Sequence, residues 1–401
     1  METPMPHPRT DELNALLHRL TQTPGPEGLA GVVAMLTDRE GVCYAGAAGV
    51  RELGQAAPMA PDTVLALYST TKPLTAVCLM QLVEEGRLRL DDAAGDTLPE
   101  IDQLQVLDGF DDAGQPRTRA PKRRIRIRDL LLHTAGLGYE FFHADDLRYR
   151  SACGVPSVGT AKPDSLRTVL LHDPGEAWTY GVSLDWLGRV IEAVRGQRLG
   201  EVMAERLFTP LGMADTGFSL NDSQRARAAT LHKRKPDGSL QAVPQATPRN
   251  APASDMGGQG LFGTVGDYMR FIRMWLNDGA GPAGPVLHPE TVHAMCQDGL
   301  APLGLSAGGW GSALPGLARA GEFCPGTPKG WAYSLLLNRK ATPTGRPAGS
   351  LMWAGLGNCH FWIDRASGLG GFWATHLLPF HDAVAHQGFE AFEALAYRGE
   401  Q

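Results

Sequence analysis

Apolar runs of strand length lie near both ends of the chain, separated by short turns that contain glycine. Leu29–Thr37 and Val42–Ala47 flank a turn that ends at Gly41, and this pattern predicts a β-hairpin. Towards the other end, the same spacing predicts strands at Leu351–Gly355, His360–Asp364 and Phe372–His376.

Helical spacing, with apolar residues three and four positions apart, dominates the rest of the chain. A first helix is predicted at Thr10–Thr21, and a second runs from about Thr70 to Glu85 and ends at the C-cap Gly86. Further helices are predicted at Leu184–Val194, at Gly200–Phe208 (closed by Pro210), at Asp267–Leu276, and around Phe389, Phe392 and Leu395.

Three polar segments do not fit a helix pattern. Asp111–Ala120 is rich in turn residues and is predicted to be a loop. Lys122–Arg128 alternates arginine with isoleucine, which favours a half-exposed strand over a nucleic-acid patch. Lys233–Pro252 is rich in proline and has no periodicity.

Strands at both ends and helices between them predict an α/β (α+β) fold. Its sheet is built from the two ends of the chain and is mostly antiparallel, because its pieces are hairpins. We predict a discontinuous α/β domain over residues 1–85 and 225–401, a mainly helical inserted domain over residues 86–224, and an active site in the cleft between them.

Composition narrows the class of protein. The 401 residues are 43% hydrophobic and 20% charged, which excludes collagen-like and disordered chains. A net charge of −6 points to neither a nucleic acid nor an anionic membrane as partner. No window approaches the ~18 apolar residues that a membrane span needs.

Two further features bear on location. The N-terminal sequence has no basic start followed by an apolar core, so no secretory signal is expected. The six cysteines include no C-x-x-C pair, and their sparse spacing suits free, mostly buried thiols in a reducing compartment. We predict a cytoplasmic protein.

The first stretch that carries chemistry is Tyr68-Ser69-Thr70-Thr71-Lys72-Pro73. Ser69 stands at a predicted helix start, and Lys72 shares its helix face because it lies three positions later. A serine hydroxyl needs a base to become a nucleophile, and a lysine serves only if burial lowers its pKa. Taken alone, S-x-x-K also describes an N-cap serine beside a surface lysine.

Two more stretches carry candidate residues that are informative in combination with the first. Pro174–Ser183 places Tyr180 on a loop next to a helix that Ser183 can cap, where its phenol could move a proton. Trp353–Leu356 lies on a predicted strand whose small residues let a substrate approach the backbone. Alone, these stretches describe a packed tyrosine and an ordinary strand.

In order and context the three stretches resemble the penicillin-recognising serine hydrolases. The chain is similar to class C β-lactamases and still closer to the family VIII carboxylesterases, which share that β-lactamase-like fold. The resemblance covers most of the chain and includes Leu130–Leu137, Gly257–Leu261 and Leu378–Phe380.

The resemblance implies a role for each of these residues. Ser69 would be the nucleophile, and Lys72 and Tyr180 would share the acid–base work. The backbone N–H groups of Ser69 and Leu356 would form the oxyanion hole. The substrate-binding residues would be Trp353, Ala354, Gly355 and Ser183.

The sequence departs from the lactamase pattern at two positions. Trp353 stands where β-lactamases usually have the lysine of Lys-Thr-Gly, and Val182 replaces the usual asparagine, with the polar Ser183 one place later. The missing ammonium group would otherwise attract a substrate carboxylate, and tryptophan offers an apolar wall instead. Neutral acyl substrates are therefore favoured, without excluding weak turnover of β-lactams.

Other candidate residues are set aside. Gly304–Gly308 matches the G-x-S-x-G elbow, but no strand or helix pattern surrounds Ser306, so we expect a bystander. His376, His381 and His386 recur every five residues and share no helix face. We expect no metal and no cofactor.

We predict a serine hydrolase that cleaves short-chain carboxylic esters through an acyl-enzyme, with acyl transfer to an alcohol or thioester as a variant. The alternatives are a β-lactamase or D-amino-acid peptidase on the same fold, a catalytically silent penicillin-binding-like sensor, and an α/β-hydrolase that uses Ser306. The expected partner is a small-molecule ester, with no nucleic acid and no membrane. The oligomeric state is open.

Overall fold

The computed structural model describes residues 7–244 and 251–398. Its α-helices, α1 to α11 in chain order, are Thr10–Thr21, Lys72–Glu84, Ile127–Leu131, Ala144–Cys153, Ser183–Arg195, Leu199–Met203, Thr209–Leu211, Asp222–Arg227, Val265–Leu276, Pro289–Met295 and Ala383–Tyr397. Its strands, β1 to β16, are Gly31–Thr37, Val42–Gly49, Val64–Ala66, Val106–Phe110, Pro116–Arg119, Leu231–Arg234, Leu240–Val243, Phe262–Thr264, Ala280–Gly281, Gly284–Pro285, Lys329–Ala332, Leu335–Asn338, Leu351–Gly355, Cys359–Asp364, Leu369–Ala374 and Leu377–Leu378.

The main sheet joins the two ends of the chain. Its seven strands run in the order β11-β12-β13-β14-β15-β1-β2, and every neighbouring pair is antiparallel. Strand β1 bridges the two halves, since Val33 pairs with Ala374 on one side and with Ala47 on the other. The predicted fold class, with an antiparallel sheet built from both ends, is confirmed.

Helices cover both faces of this sheet. Neighbouring residues on a strand point to opposite faces. Phe372 packs against Tyr268 of α9, with ring centroids 4.7 Å apart, whereas Trp373 packs against Phe392 of α11, at 5.8 Å. Helix α1 packs against α11 and β2. The seven residues of β1 are buried as a result.

Helix α2 lies inside the molecule and carries the predicted base. Its residues from Lys72 to Leu82 are all buried, because the helix is apolar on every side and α5 and α6 pack against it. The helix starts at Lys72 rather than at Thr70, and the four residues Tyr68–Thr71 before it form a 3₁₀ turn. Gly86 follows the helix with φ +69°, as the C-cap prediction requires.

Two sequence predictions on polar segments are wrong. Within Asp111–Ala120, Pro116–Arg119 forms β5 and pairs with Val106–Phe110. This hairpin is largely exposed, so no buried face marks it in the sequence. Lys122–Arg128 is not a strand, because α3 begins at Ile127 and the side chain of Asp129 accepts a hydrogen bond from the backbone N–H of Arg126 (2.8 Å).

Two further segments differ from prediction in part. The helix expected to close at Pro210 continues through a π-helical turn, Ala204–Phe208, and ends at Gly212, since proline is tolerated in the first turn of α7. The segment Lys233–Pro252 contributes to strands β6 and β7, and its residues 245–250 lie outside the described residues.

Two further predictions from the sequence concern membrane spans and cysteines. No helix within residues 7–244 and 251–398 is long and apolar enough to cross a membrane. All six cysteines carry free thiols, of which Cys78 and Cys359 are buried, Cys153 is exposed and three are half-buried. The first six residues, part of the predicted signal-free N-terminus, are outside the described chain.

Candidate active site

The turn that carries Ser69 is held by hydrogen bonds from distant segments. Leu67 donates its backbone N–H to the carbonyl oxygen of Leu261 (2.8 Å), and the hydroxyl of Tyr268 donates to the carbonyl oxygen of Thr70 (2.8 Å). Ser69 itself stays partly exposed. The turn therefore fixes a reachable hydroxyl at the N-terminal end of a buried helix.

Lys72 is fully buried and reaches three oxygen atoms. Its Nζ lies 2.7 Å from the carbonyl oxygen of Gly258, 2.8 Å from the hydroxyl of Tyr139 and 3.1 Å from Ser69 Oγ. Burial lowers the pKa of Lys72 to about 7, although the negative charge of Asp185 acts in the opposite direction. The amine is therefore poised to be neutral near pH 7.

The hydrogen-bond directions around Lys72 leave its lone pair for Ser69. A carbonyl oxygen can only accept, so the amine donates to Gly258. Tyr139 donates its own hydrogen to Asp185 Oδ2 (3.4 Å) and therefore accepts from Lys72. A neutral amine has two hydrogens, and these two acceptors use both. The remaining lone pair faces Ser69 Oγ and can take its proton.

Tyr139 and Asp185 also belong to the candidate site, although no motif in the sequence marks them. Both are buried, and Asp185 Oδ1 also accepts the backbone N–H of Gly258 (2.8 Å). Burial raises the pKa of Asp185, while the nearby Lys72 opposes that rise. One signal was available: a carboxylate between Leu184 and Trp186 lies within the apolar part of a helix, where an unpaired charge is costly.

Tyr180 lies on the loop before α5, as predicted, and is 6% exposed. Its hydroxyl accepts a hydrogen bond from Trp353 Nε1 (2.9 Å), and Lys72 Nζ lies 4.8 Å from the centre of its ring. Burial raises the pKa of Tyr180, and hydrogen bonds with Ser69 and Trp353 oppose the rise. The phenol is therefore neutral at pH 7.

His133 supports the loop of Tyr180 from behind. Its carbonyl oxygen accepts the N–H of Thr179 (2.8 Å), its Nδ1 accepts the N–H of Gly181 (3.4 Å), and its ring centroid lies 4.7 Å from that of Tyr180. Burial lowers the pKa of His133, and the charge of Lys72 adds to that effect. A neutral ring can accept the backbone hydrogen bond of Gly181.

Strand β13 passes very close to the Ser69 turn. A Cβ atom added to Gly355 would lie 2.5 Å from the carbonyl oxygen of Leu67, so a side chain there would push the strand away. This approach brings Leu356, at the end of the strand, to the same cavity as Ser69. The two residues predicted to form the oxyanion hole therefore line one small cavity.

A narrow, aromatic cavity of about 20 Å³ opens at Ser69. Its lining residues are Ser69, Phe141, Phe142, Tyr180, Trp310, Trp353, Ala354, Leu356 and Phe380. Two residues predicted to bind substrate are not among them. Gly355 packs against the Ser69 turn, and Ser183 is fully buried in the first turn of α5, where no partner contacts its Oγ. The geometry gives Ser183 no contact with this cavity, contrary to expectation.

A second, largely apolar cavity of about 180 Å³ borders Tyr68, the residue before Ser69. Gln259 and Gly260 also line it, directly after the glycine whose carbonyl oxygen holds Lys72. Its apolar walls come from Phe218, Leu220, Met256, Leu261 and Phe262. Two cavities therefore flank the turn, one at Ser69 and one beside Tyr68.

A larger cavity, of about 640 Å³, has a different character. Lys122, Arg123, Arg126 and Arg128 line it, but carboxylates neutralise them. Arg123 pairs with Asp129 (2.6 Å), Lys122 with Glu176 (2.7 Å), and Arg128 with Asp91 (2.7 Å). It contains neither the predicted nucleophile nor its base, and its paired arginines leave little charge for a nucleic acid.

The rival serine motif and the histidines offer no comparable arrangement. Ser306 is exposed on a loop without a helix after it, and its Oγ accepts a hydrogen bond from Arg339 Nη1 (2.8 Å). Within the part of the chain that the structure describes, no three histidine, cysteine, aspartate or glutamate side chains are grouped as a metal site.

Comparisons with known proteins agree with this geometry. Residues 18–396 match the family model described as Beta-lactamase. Monacolin J acid methylbutanoyltransferase from Aspergillus terreus is 32% identical over 383 residues, 92% of each chain. Lovastatin esterase from Penicillium rubens is 33% identical over 366 residues, 87% of this chain and 89% of the esterase. A solved simvastatin synthase from Aspergillus terreus superposes with a TM-score of 0.84 at 28% identity, covering 96% of both chains.

Proposed function

Because the chain belongs to the β-lactamase family of serine hydrolases and acyltransferases, we propose that it cleaves carboxylic esters through an acyl-enzyme on Ser69. The observation that carries the proposal is the buried Lys72, whose lone pair faces Ser69 Oγ at 3.1 Å while two acceptors hold its hydrogens. A neutral buried amine beside a serine is the arrangement that nucleophilic catalysis requires.

The reaction follows from this arrangement. Lys72 takes the hydroxyl proton as Ser69 Oγ attacks the ester carbonyl. The backbone N–H groups of Ser69 and Leu356 stabilise the oxyanion, and a hole of this kind contributes about 10²–10³ in rate for each donor. The alcohol leaves, and water then attacks the acyl group and releases the acid.

The walls of the cavity favour a neutral substrate. Five aromatic rings besides Tyr180 surround Ser69, and Trp353 offers no positive charge to a substrate carboxylate. A carboxylate placed there would lose hydration without gaining a partner. We therefore expect esters to be better substrates than β-lactams.

Acyl transfer to an alcohol is the second candidate function. The walls of the cavity at Ser69 are mostly aromatic, and apolar walls favour an apolar alcohol over water as the acceptor of the acyl group. One relative is named as a methylbutanoyltransferase and another as a lovastatin esterase, so acyl transfer and hydrolysis each occur among the names of the relatives. Hydrolysis and transfer differ only in the acceptor that attacks the acyl-enzyme.

The decisive experiment compares wild type, Ser69→Ala and Ser306→Ala. Each is assayed on p-nitrophenyl esters from acetate to decanoate, with a chromogenic cephalosporin alongside. We expect wild type and Ser306→Ala to hydrolyse the esters equally and the cephalosporin poorly, while Ser69→Ala loses at least about 10³-fold in kcat. Adding an alcohol and measuring the new ester by chromatography then reports acyl transfer.

Three results would contradict the proposal. Activity that survives Ser69→Ala but not Ser306→Ala would assign the reaction to the exposed loop. A cephalosporin that outperforms every ester would make the protein a β-lactamase. If wild type releases no product and mass spectrometry finds a stalled acyl adduct on Ser69, the protein is a sensor.

A further inference from the structure

Trp353 contributes more to the site than an apolar wall. Building on the proposed ester cleavage, we propose that Trp353 is a positioning residue whose indole N–H aims the phenol of Tyr180 at the leaving oxygen. Tyr180 is then the acid that protonates this oxygen. The substrate class is accordingly esters of ordinary alkyl alcohols, whose leaving alkoxides require a proton.

The hydrogen bond between the two side chains has only one possible direction. An indole nitrogen carries a hydrogen and cannot accept one, so Trp353 Nε1 donates to the Tyr180 oxygen at 2.9 Å. The phenolic hydrogen of Tyr180 must therefore point elsewhere. Tyr180 and Ser69 line the same small cavity, so this hydrogen is available to an oxygen atom of a substrate bound there.

Packing holds the indole in this orientation. Trp353 is 4% exposed, and its ring meets Trp331 edge-on at 4.6 Å, Tyr180 at 4.7 Å and Phe323 at 5.8 Å between centroids. A rotation of the ring would break all three contacts. The donor is therefore fixed before a substrate arrives, and preorganised donors of this kind cost no reorganisation during the reaction.

The proton balance gives Tyr180 and Lys72 separate tasks. In acylation, Lys72 takes the Ser69 proton, the C–O bond to the alcohol breaks with its electron pair on oxygen, and that oxygen takes the Tyr180 proton. The N–H of Trp353 then stabilises the phenolate. In deacylation, the attacking water or alcohol gives its proton to the phenolate, and Ser69 Oγ recovers its proton from Lys72.

The choice of leaving group tests this division of labour. p-Nitrophenolate leaves without protonation, whereas an alkoxide does not. We expect Trp353→Phe, which keeps an apolar ring but removes the N–H, to lower kcat/KM for ethyl butanoate about 10–100-fold. For p-nitrophenyl butanoate, which carries the same acyl group, we expect a loss at least about 5-fold smaller than that for the ethyl ester. Trp353→His, which retains a ring N–H, should recover part of the ethyl ester activity.

Phe323→Leu is the matched control, because Phe323 packs against Trp353 but makes no hydrogen bond to Tyr180. It should affect both substrates equally. An equal loss on both substrates in Trp353→Phe would reduce Trp353 to a packing role and overturn the inference, as would no loss on either. These outcomes differ from failure of the proposed function, in which wild type hydrolyses neither ester.

A measurement on wild type keeps the inference testable if Trp353→Phe does not fold. The dependence of log kcat/KM on the pKa of the leaving alcohol should be shallow in wild type and steep in Tyr180→Phe. A wild-type dependence as steep as that of Tyr180→Phe would show that the leaving oxygen receives no proton from Tyr180, and would overturn the inference.

Discussion

At the scale of the residue, two opposed effects decide the charge of Lys72. Full burial disfavours the ammonium form and lowers its pKa, while the carboxylate of Asp185 favours the ammonium form. Tyr139 stands between them, with hydrogen bonds to both side chains. Asp185 therefore sets the pH at which Lys72 becomes a base, without touching the substrate.

The pH dependence of catalysis tests this arrangement. Lys72 acts as a neutral amine, so kcat/KM should rise with pH through its pKa, near 7. Asp185→Asn removes the negative charge that raises this pKa, so the rising limb should move to lower pH. The measurement is kcat/KM for p-nitrophenyl butanoate between pH 5 and 9.

Asp164→Asn is the control, because Asp164 is exposed, pairs with Arg167 and does not line the cavity at Ser69. Its pH profile should match that of wild type. A limb that stays in place in Asp185→Asn, or moves to higher pH, would show that Asp185 does not govern Lys72.

The residues of the site could be predicted where they form short motifs. They could not be predicted where the site joins segments that are distant in the sequence. Ser69 and Lys72 lie three positions apart, and their pairing follows from helical geometry alone. Gly258, which fixes the direction of the amine, is 186 positions from Lys72, and Tyr139 is 67 positions away. Spacing in the sequence carries no information about contacts of this kind.

At the scale of the element, the site depends on how closely β13 approaches the Ser69 turn. Gly355 makes the approach possible, because any Cβ there would meet the carbonyl oxygen of Leu67 at 2.5 Å, and backbone cannot move aside as a side chain can. The position of Leu356 relative to Ser69, and hence the expected oxyanion hole, follows from this contact.

Gly355→Ala should therefore damage catalysis more than folding. We expect kcat to fall by at least about 10²-fold, as when an oxyanion donor is lost, and the free energy of unfolding to fall by about 1–3 kcal/mol. Urea denaturation and ester kinetics measure the two effects.

Gly266→Ala is the matched glycine control. A Cβ at Gly266, in the first turn of α9, meets nothing closer than 3.8 Å, so both quantities should stay near wild type. Full activity in Gly355→Ala would mean that the strand does not position the oxyanion donors.

Amphipathic helices and longer apolar strands were predictable, whereas two short buried strands and an exposed hairpin were not. The helical spacing of α1 and the glycine turn between β1 and β2 are visible in the sequence. Strands Lys329–Ala332 and Leu335–Asn338 have only four residues each and are buried at every position, so they show neither alternation nor a long apolar run. Pro116–Arg119 is largely exposed, so no apolar face marks it in the sequence.

At the scale of the whole molecule, the buried His360 meets the half-buried His381 and His386. His386 lies 5.8 Å from His360 and 4.5 Å from His381, measured between ring centroids. His360 also stacks on Phe389 at 4.7 Å, and neither of its ring nitrogens has a hydrogen-bond partner. Such rings are stable only in the neutral form.

This cluster predicts a loss of stability in mild acid. Burial lowers the pKa of His360 well below its usual value and lowers those of His381 and His386 to about 4. The unfolded chain binds protons near pH 6.5 and the folded chain does not, so the free energy of unfolding should fall as the pH drops from 6.5 to 4. Urea denaturation at pH 7 and pH 5 measures the difference.

His386→Gln should reduce this pH dependence, because one of the titrating rings is gone. His18→Gln removes an exposed histidine and should leave it unchanged. Equal pH dependence in all three proteins would exclude the cluster as the source of acid sensitivity.

The pairing of β1 with β15 also fixes when the enzyme can first act during translation. Val33 cannot pair with Ala374 until residue 374 has been synthesised. This takes on the order of half a minute at about 5–20 residues per second. Meanwhile the Ser69 turn lacks both the carbonyl oxygen of Leu261 and the close approach of Gly355. A nascent chain therefore carries Ser69 long before the turn around it can form its native contacts.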